Sequence, residues 1–183
     1  MIIGTAALAE KKRAKCRPEA NGLPSHSRRP KMDPTSIEPK TQDFSTTKHG
    51  MISWTKQQKI RLSANLSTQE FTCQCSYDTC IVQTIDAALI TKLQMIRDEL
   101  KKPLLITSGF RCWKRQVDLS EGGVETAKGQ SQHELGKACD FATTDMKKAE
   151  ELANTYFDAV GVSPRFIHVD LRSDKKRRWT YKA

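Results

Sequence analysis

The sequence contains no apolar run that approaches the ~20 residues needed to cross a bilayer, and its mean hydropathy is −0.61. The first nine residues are mostly apolar, but they lack the basic start of a signal peptide, and the charged run Glu-Lys-Lys-Arg follows directly. No internal repeat is visible. We therefore expect no membrane span and no secretory signal.

Histidine is scarce, with only four in 183 residues. His26 and His49 lie in a polar N-terminal segment without apolar periodicity. The other two lie in the motifs SQHELGKACD and FIHVD, which contain His133, Asp140 and His168. Two imidazoles and a carboxylate are a ligand set of catalytic zinc, which leaves its fourth tetrahedral position to water.

The predicted local structure would bring these side chains close together. The segment FIHVDL is predicted to be a strand, on which His168 and Asp170 share a face because side chains alternate. Gly136 supplies a turn after His133, and ACDFA, which contains Asp140, is predicted to be a second strand. Each residue alone has an ordinary explanation as a loop, strand-end or core residue. Together they favour a zinc site.

The motif S-x-H-x-x-G-x-A-x-D, followed by a strand with a second histidine, resembles the zinc D-Ala-D-Ala carboxypeptidase family. That family includes phage endolysins and bacterial peptidoglycan endopeptidases, and it is structurally akin to the hedgehog N-terminal domain. The similarity extends to LITSGFR at 105–111 and to the terminal FIHVDLR and RW, and so covers roughly residues 65–183. It implies zinc ligands at His133, Asp140 and His168.

The resemblance implies a peptidase with one catalytic Zn²⁺ that hydrolyses a peptide bond in peptidoglycan stem peptides or cross-links. Arg111 matches the arginine of the family's SGYR strand, so we expect it to stabilise the developing oxyanion or to bind a substrate carboxylate. A structural salt bridge is the alternative. Ser131 and Gln132 are expected either to bind the peptide or to shape the loop.

The chain departs from its relatives at the general base. Several relatives carry an acidic residue or a histidine where this chain has Arg165 and Phe166. Asp170 is then the nearest acidic candidate, either as the base or as a carboxylate that orients a zinc-bound histidine. Glu134 is a weaker candidate, since it is equally explained as an exposed loop charge.

The formal net charge is +10, with basic residues concentrated in the N-terminal segment and in the tail at 175–182. Such charge suits an anionic cell wall or anionic lipid, nucleic acid, or simply a solvated end, and the charge alone does not decide between them. Trp179 has a family counterpart, so we expect it to pack against the domain.

We expect a monomer acting at the cell wall or periplasm, encoded by a phage or by a bacterium. The rival functions are a non-catalytic hedgehog-like zinc module and a basic nucleic-acid-binding protein.

Six cysteines occur, at 16, 73, 75, 80, 112 and 139. Their spacing includes no C-x-x-C, so a structural zinc at the cluster 73–112 is only weakly indicated. Disulfides would suit an oxidising compartment. Reduced, partly buried thiols are the simplest interpretation. Cys139 alternates with Asp140 on its strand and should point away from the zinc.

These patterns predict an α+β fold: a small antiparallel sheet carries the zinc site and helices flank it. Residues 1–52 are predicted to be a basic, proline-rich, disordered extension, and residues 53–183 the zinc peptidase domain. Helices are expected at 84–100, 113–119 and 145–160, with strands at 104–107, 138–142 and 166–171.

Overall fold

The computed structural model describes residues 50–124 and 131–182. The predicted disordered extension falls outside these ranges, apart from its last three residues. Over the described ranges the strands are β1 (Met51–Thr55), β2 (Val82–Asp86), β3 (Leu105–Ser108), β4 (Ala138–Ala142), β5 (Ala159–Val162), β6 (Ile167–Asp170) and β7 (Arg177–Thr180). The helices there are α1 (Thr68–Phe71), α2 (Ala87–Leu100), α3 (Trp113–Glu121) and α4 (Met146–Tyr156). None of these helices is long and apolar enough to cross a membrane.

The strands form two sheets. β1 and β2 make an antiparallel pair, and the remaining strands make a five-stranded sheet in the order β3-β4-β6-β5-β7. Every pairing in the larger sheet is antiparallel except that of β5 with β7 at one edge. The predicted α+β class is therefore confirmed, with one parallel edge strand that the sequence pattern did not predict.

Helix α2 begins at Ala87, three residues later than predicted. Residues 84–86 instead complete β2, because they pair with β1. Asp86 ends the strand and caps the helix, since its carboxylate accepts the N–H of Ala88. The apolar positions of the helix point into the core as expected, and Lys101 in the left-handed conformation ends it.

Helix α4 ends at Tyr156 rather than at 160, because Phe157 is extended and the chain continues as β5. The last two residues of the predicted helix, 159 and 160, therefore belong to β5, which lies between β6 and β7. The guanidinium of Arg178 donates to the carbonyls of Asn154 and Phe157 at the end of α4. One basic residue of the tail thus caps a helix.

The two faces of the central strands are chemically distinct. On one face, Cys139 of β4 and Val169 of β6 join the hydrophobic core, which also contains buried residues of α2 and α4. Asp140 and His168 alternate with these residues and face the opposite side. Cys139 is fully buried among core residues, which confirms that it points away from the candidate metal site.

Candidate metal centre and cleft

The structure brings His133, Asp140 and His168 together, with one ligand atom from each lying within 4.8 Å of the others. Nδ1 of His168 lies 2.7 Å from Oδ1 of Asp140, and Nε2 of His133 lies 3.3 Å from both that oxygen and that nitrogen. All three side chains are buried. Two nitrogen atoms and a carboxylate oxygen directed at one point suit a tetrahedral zinc ion with one open position.

A tight loop after Ser131 fixes His133. The ring Nδ1–H of His133 donates to the carbonyl of Gly109 at 2.7 Å, which leaves Nε2 for a metal. Gly136 has a φ of +66°, and a Cβ there would lie 2.5 Å from the carbonyl oxygen of Thr84. Only glycine suits both requirements. The predicted turn at Gly136 is therefore confirmed, and close packing against β2 is a second reason for it.

The other ring nitrogen of His168 is held by Asp170. Nε2–H of His168 donates to Oδ2 of Asp170 at 3.1 Å. Arg172 occupies the rest of that carboxylate: its backbone N–H and Nε donate to Oδ1 at 3.0 and 2.9 Å, and its Nη2 donates to Oδ2 at 2.6 Å. Asp170 is 0% exposed. The carboxylate thus orients the histidine ring and is itself enclosed by an arginine.

The pKa shifts follow from burial and from this pairing. Burial lowers the pKa of His133, which favours the neutral imidazole that a metal requires. Burial opposes ionisation of Asp140, yet both histidines hold its pKa well below the usual range. Burial would likewise lower the pKa of His168, but the two neighbouring carboxylates raise it. The pKa of Asp170 falls to about 2, because hydrogen bonds from His168 and Arg172 outweigh burial.

Arg111 also reaches the candidate site. Its Nη2 donates to Oδ2 of Asp140 at 2.5 Å, and its Nε donates to the hydroxyl of Ser108 at 2.8 Å. The arginine therefore holds the carboxylate oxygen that does not face the histidines. Its ion pair with Asp140 matches the structural alternative considered for this residue, and its side chain also lines the neighbouring cleft.

A cleft of about 270 Å³ opens beside Asp140. Arg111 and Phe166 lie in its wall, together with residues of the loop after α1 and of helix α3. The two residues predicted from the sequence to bind peptide, Ser131 and Gln132, are not among the residues that line it. An apolar and cationic groove next to buried metal-ligand candidates suits a peptide that carries a carboxylate.

Loop geometry accounts for the contacts of Ser131 and Glu134. The Glu134 carboxylate accepts the backbone N–H of Ser131 at 3.1 Å, and the Ser131 hydroxyl accepts that of His133 at 3.4 Å. The carbonyl of Gln132 accepts the N–H of Lys137. These bonds shape the turn that carries His133.

Two aromatic residues of the tail complete the wall beside His168. The Trp179 ring lies 5.4 Å from the His168 ring, and the Tyr181 ring lies 6.4 Å from it and 5.2 Å from Phe166. Trp179 therefore packs, as predicted. Burial raises the pKa of Tyr181, so its hydroxyl remains a donor at neutral pH. Sequence reasoning missed Tyr181, and the only signal was its two-residue spacing from Trp179, which places the two side chains on one side of an extended chain.

A comparison with protein families identifies a match. The sequence model of a family described as Peptidase M15 matches residues 64–170, which is more than half of the chain. No curated protein matches the chain. The matched region begins before α1 and ends at Asp170, so it includes all three candidate metal ligands and Arg111.

Proposed function

Because the chain belongs to the peptidase M15 family, we propose that it is a zinc-dependent peptidase that hydrolyses a peptide bond in peptidoglycan stem peptides or cross-links. The observation that carries the proposal is the convergence of Nε2 of His133, Oδ1 of Asp140 and Nδ1 of His168 beside an open cleft. The family match alone would not require these atoms to meet.

The three residues would hold one Zn²⁺, which when bound polarises a scissile carbonyl and lowers the pKa of a water molecule. Gly109 and Asp170 fix the ring orientations of the two histidines, because each accepts the N–H that faces away from the other ligands. Arg111 places a permanent cation in the cleft wall. There it can stabilise negative charge that develops on the substrate oxygen, or bind a substrate carboxylate.

Asp170 is better suited to position His168 than to serve as the general base. A base must come within hydrogen-bond reach of the proton it removes, whereas Asp170 is fully buried and both of its oxygens accept bonds from His168 and Arg172. We therefore assign it the orienting role of the two that the sequence left open.

Peptidoglycan as the substrate is supported by charge as well as by family. The chain carries a formal net charge of +10, which favours binding to an anionic wall polymer. Stem peptides end in carboxylates, and the cleft wall contains both Arg111 and Arg115. Action at the cell wall or periplasm follows from such a substrate, whether during phage lysis or during bacterial wall remodelling.

Digestion of purified sacculi, followed by mass spectrometry of the soluble products, tests this function. Release of terminal D-Ala would identify a carboxypeptidase, and loss of cross-linked dimers or cleavage between L-Ala and D-Glu would identify an endopeptidase. The His133→Ala protein is the matched control and should release nothing. Absence of products from zinc-loaded protein, on sacculi and on synthetic stem peptides, would contradict the proposal.

A non-catalytic zinc module is the second candidate, because a specific feature favours it. The positions that supply a base in several relatives hold Arg165 and Phe166, and Asp170 is enclosed. Turnover separates the two candidates, since a non-catalytic module would bind zinc at the same three residues and would release no product.

A further inference from the structure

A second cluster of metal-binding side chains lies outside the His133 site. Cys73, Cys75 and Cys80 belong to the loop between α1 and β2, and Cys112 directly precedes α3. One sulfur from each of the four lies within 4.8 Å of the others. Cys112 follows the loop cysteines by 32 to 39 residues of sequence, so the fold itself brings them together.

The sulfur separations suit a single ion. Sγ of Cys75 lies 3.6 Å from Sγ of Cys112. Four thiolates around one zinc ion, at about 2.3 Å each, form a tetrahedron with edges of about 3.8 Å. A disulfide would require about 2.05 Å, and an iron–sulfur cluster places several atoms between its cysteine sulfurs.

A cation lies against the cluster. The ammonium of Lys56 is 3.2 Å from Sγ of Cys75 and donates to the carbonyl of the same residue at 2.7 Å. A zinc ion with four thiolates carries two net negative charges, and a neighbouring lysine offsets one of them. Lys56 follows β1 directly, and its backbone N–H donates to the carbonyl of Ile81.

N–H groups also point at the sulfur atoms. The backbone N–H of Cys112 donates to Sγ of Cys73 at 3.3 Å, and the amide of Gln83 donates to Sγ of Cys80 at 3.4 Å. Gln83 is 0% exposed, and its Oε1 accepts the N–H of Cys73 at 2.8 Å. Such donors stabilise thiolates and orient them toward a metal.

The loop is joined to α3 by a further contact that involves no sulfur. The hydroxyl of Tyr77 donates to the carboxylate of Asp118, with both oxygens within 2.9 Å. The Lys114 ammonium lies 5.1 Å from the centre of the Tyr77 ring. These contacts hold the loop against the helix and involve none of the four sulfur atoms.

We propose that Cys73, Cys75, Cys80 and Cys112 bind a structural zinc ion that fastens the loop after α1 to the start of α3. Four thiolates complete the tetrahedron and leave no position for water, which is the arrangement of a structural site rather than a catalytic one. Sulfur ligands also select zinc over harder ions such as Mg²⁺ and Ca²⁺.

The position of this zinc site links it to the cleft. Thr72 and Gln74, on either side of Cys73, line the cleft, and so does Arg111, which immediately precedes Cys112. The ion would therefore fix one wall of the cleft and the backbone of the arginine that pairs with Asp140. The two sites share no ligand, so the occupancy of each can be measured separately.

Metal content of the full chain, purified under reducing conditions, tests the proposal. We expect about two zinc ions per chain in the unchanged protein. Cys75→Ser and Cys112→Ser should each retain about one, and so should His133→Ala. The matched control is Cys139→Ala, a buried cysteine outside the cluster, which should retain both ions.

Cobalt substitution of the unchanged protein gives a readout that does not depend on any variant folding. Co²⁺ in the unchanged protein should display the strong thiolate-to-metal charge-transfer bands and intense visible bands of a tetrahedral sulfur site. His133→Ala should keep these bands. In the zinc-loaded protein, the four clustered thiols should resist a thiol-modifying reagent until a chelator removes the metal.

Several outcomes would overturn the proposal. One zinc per chain with no cobalt–thiolate bands would do so, as would a disulfide between any two of the four cysteines in the reduced preparation, or bound iron in place of zinc. The peptidase proposal fails separately. If His133→Ala and His168→Ala keep all zinc while the cobalt–thiolate bands are present, the sulfur site stands and the catalytic site does not.

Discussion

Asp140 and His168 are direct cross-strand partners, and Oδ1 of the carboxylate lies 2.7 Å from Nδ1 of the ring. The row of cross-strand partners that contains these two residues continues across the whole sheet. Ser108 pairs with Asp140 on one side, Gly161 pairs with His168 on the other, and Trp179 pairs with Gly161 at the edge. Sheet register therefore positions most of the candidate metal centre and its wall, while a separate loop supplies His133.

Replacing either histidine should remove zinc from this centre. His133→Ala and His168→Ala each delete one of three ligands, so we expect the loss of one zinc ion per chain. Metal analysis after dialysis measures it. His49→Ala is the matched control, because His49 lies outside both candidate ligand motifs. Unchanged zinc in both ligand variants would place the metal elsewhere.

Asp170→Asn should lower the affinity for zinc more than it lowers the rate of hydrolysis at saturating zinc. The substitution removes the charge that orients and polarises His168, and loss of such a partner typically costs about 10–100-fold in metal affinity. Zinc titration and activity with added zinc measure this, with Asp174→Asn, an exposed carboxylate paired with Arg177, as the control. Normal zinc affinity with a rate loss of about 10²–10⁴-fold would instead identify a general base.

Arg111→Lys should lower the rate constant at saturating zinc. Lysine keeps the charge but loses the planar group that pairs with Asp140 and Ser108 together. We expect a fall in kcat of up to about 10²–10³-fold, the usual value of one oxyanion donor. Arg115→Lys, in the same cleft wall, should have a smaller effect. Activity that simply follows zinc content would contradict a substrate role for Arg111.

Gly161→Ala should destabilise the sheet by displacing Trp179. A Cβ at this position would lie 2.4 Å from the Trp179 indole, and overpacking of this kind costs about 1–3 kcal/mol. Thermal unfolding measures the change. In a Trp179→Ala background the same substitution should change the free energy of unfolding little, because the indole that Cβ would contact is absent. An equal cost in both backgrounds would refute the packing argument.

The stability of the domain should not depend on the N-terminal segment but should depend on β1. The carbonyl of Gly50 accepts the N–H of Ala87, and Ile52 and Trp54 are buried. A chain beginning at His49 should keep its zinc and its unfolding temperature. A chain beginning at Thr55 loses two buried side chains, worth about 1.5–3 kcal/mol each, and should unfold at lower temperature. Equal stability of both chains would contradict a structural role for β1.

Local pattern was sufficient to predict the three metal-ligand candidates and the α+β class. Alternation along FIHVD placed His168 and Asp170 on one face, and a glycine at 136 indicated the turn after His133. Both follow from backbone sterics over a few residues. The cores of α2 and α4 followed equally from 3–4 spacing, because a helix is stabilised by contacts between near neighbours in sequence.

The tertiary structure decided what depends on distant pairing. Residues 84–86 and 159–160 have apolar patterns that fit a helix, and they are strands only because β1, β6 and β7 lie beside them. Arg172 encloses Asp170, the tail brings Trp179 and Tyr181 against His168, and a loop meets α3 so that four cysteines converge. The sequence by itself determined which chemical groups the chain carries and their local direction. Long-range hydrogen bonding and packing determined which of those groups meet, because the order β3-β4-β6-β5-β7 places beside one another strands that are far apart in sequence.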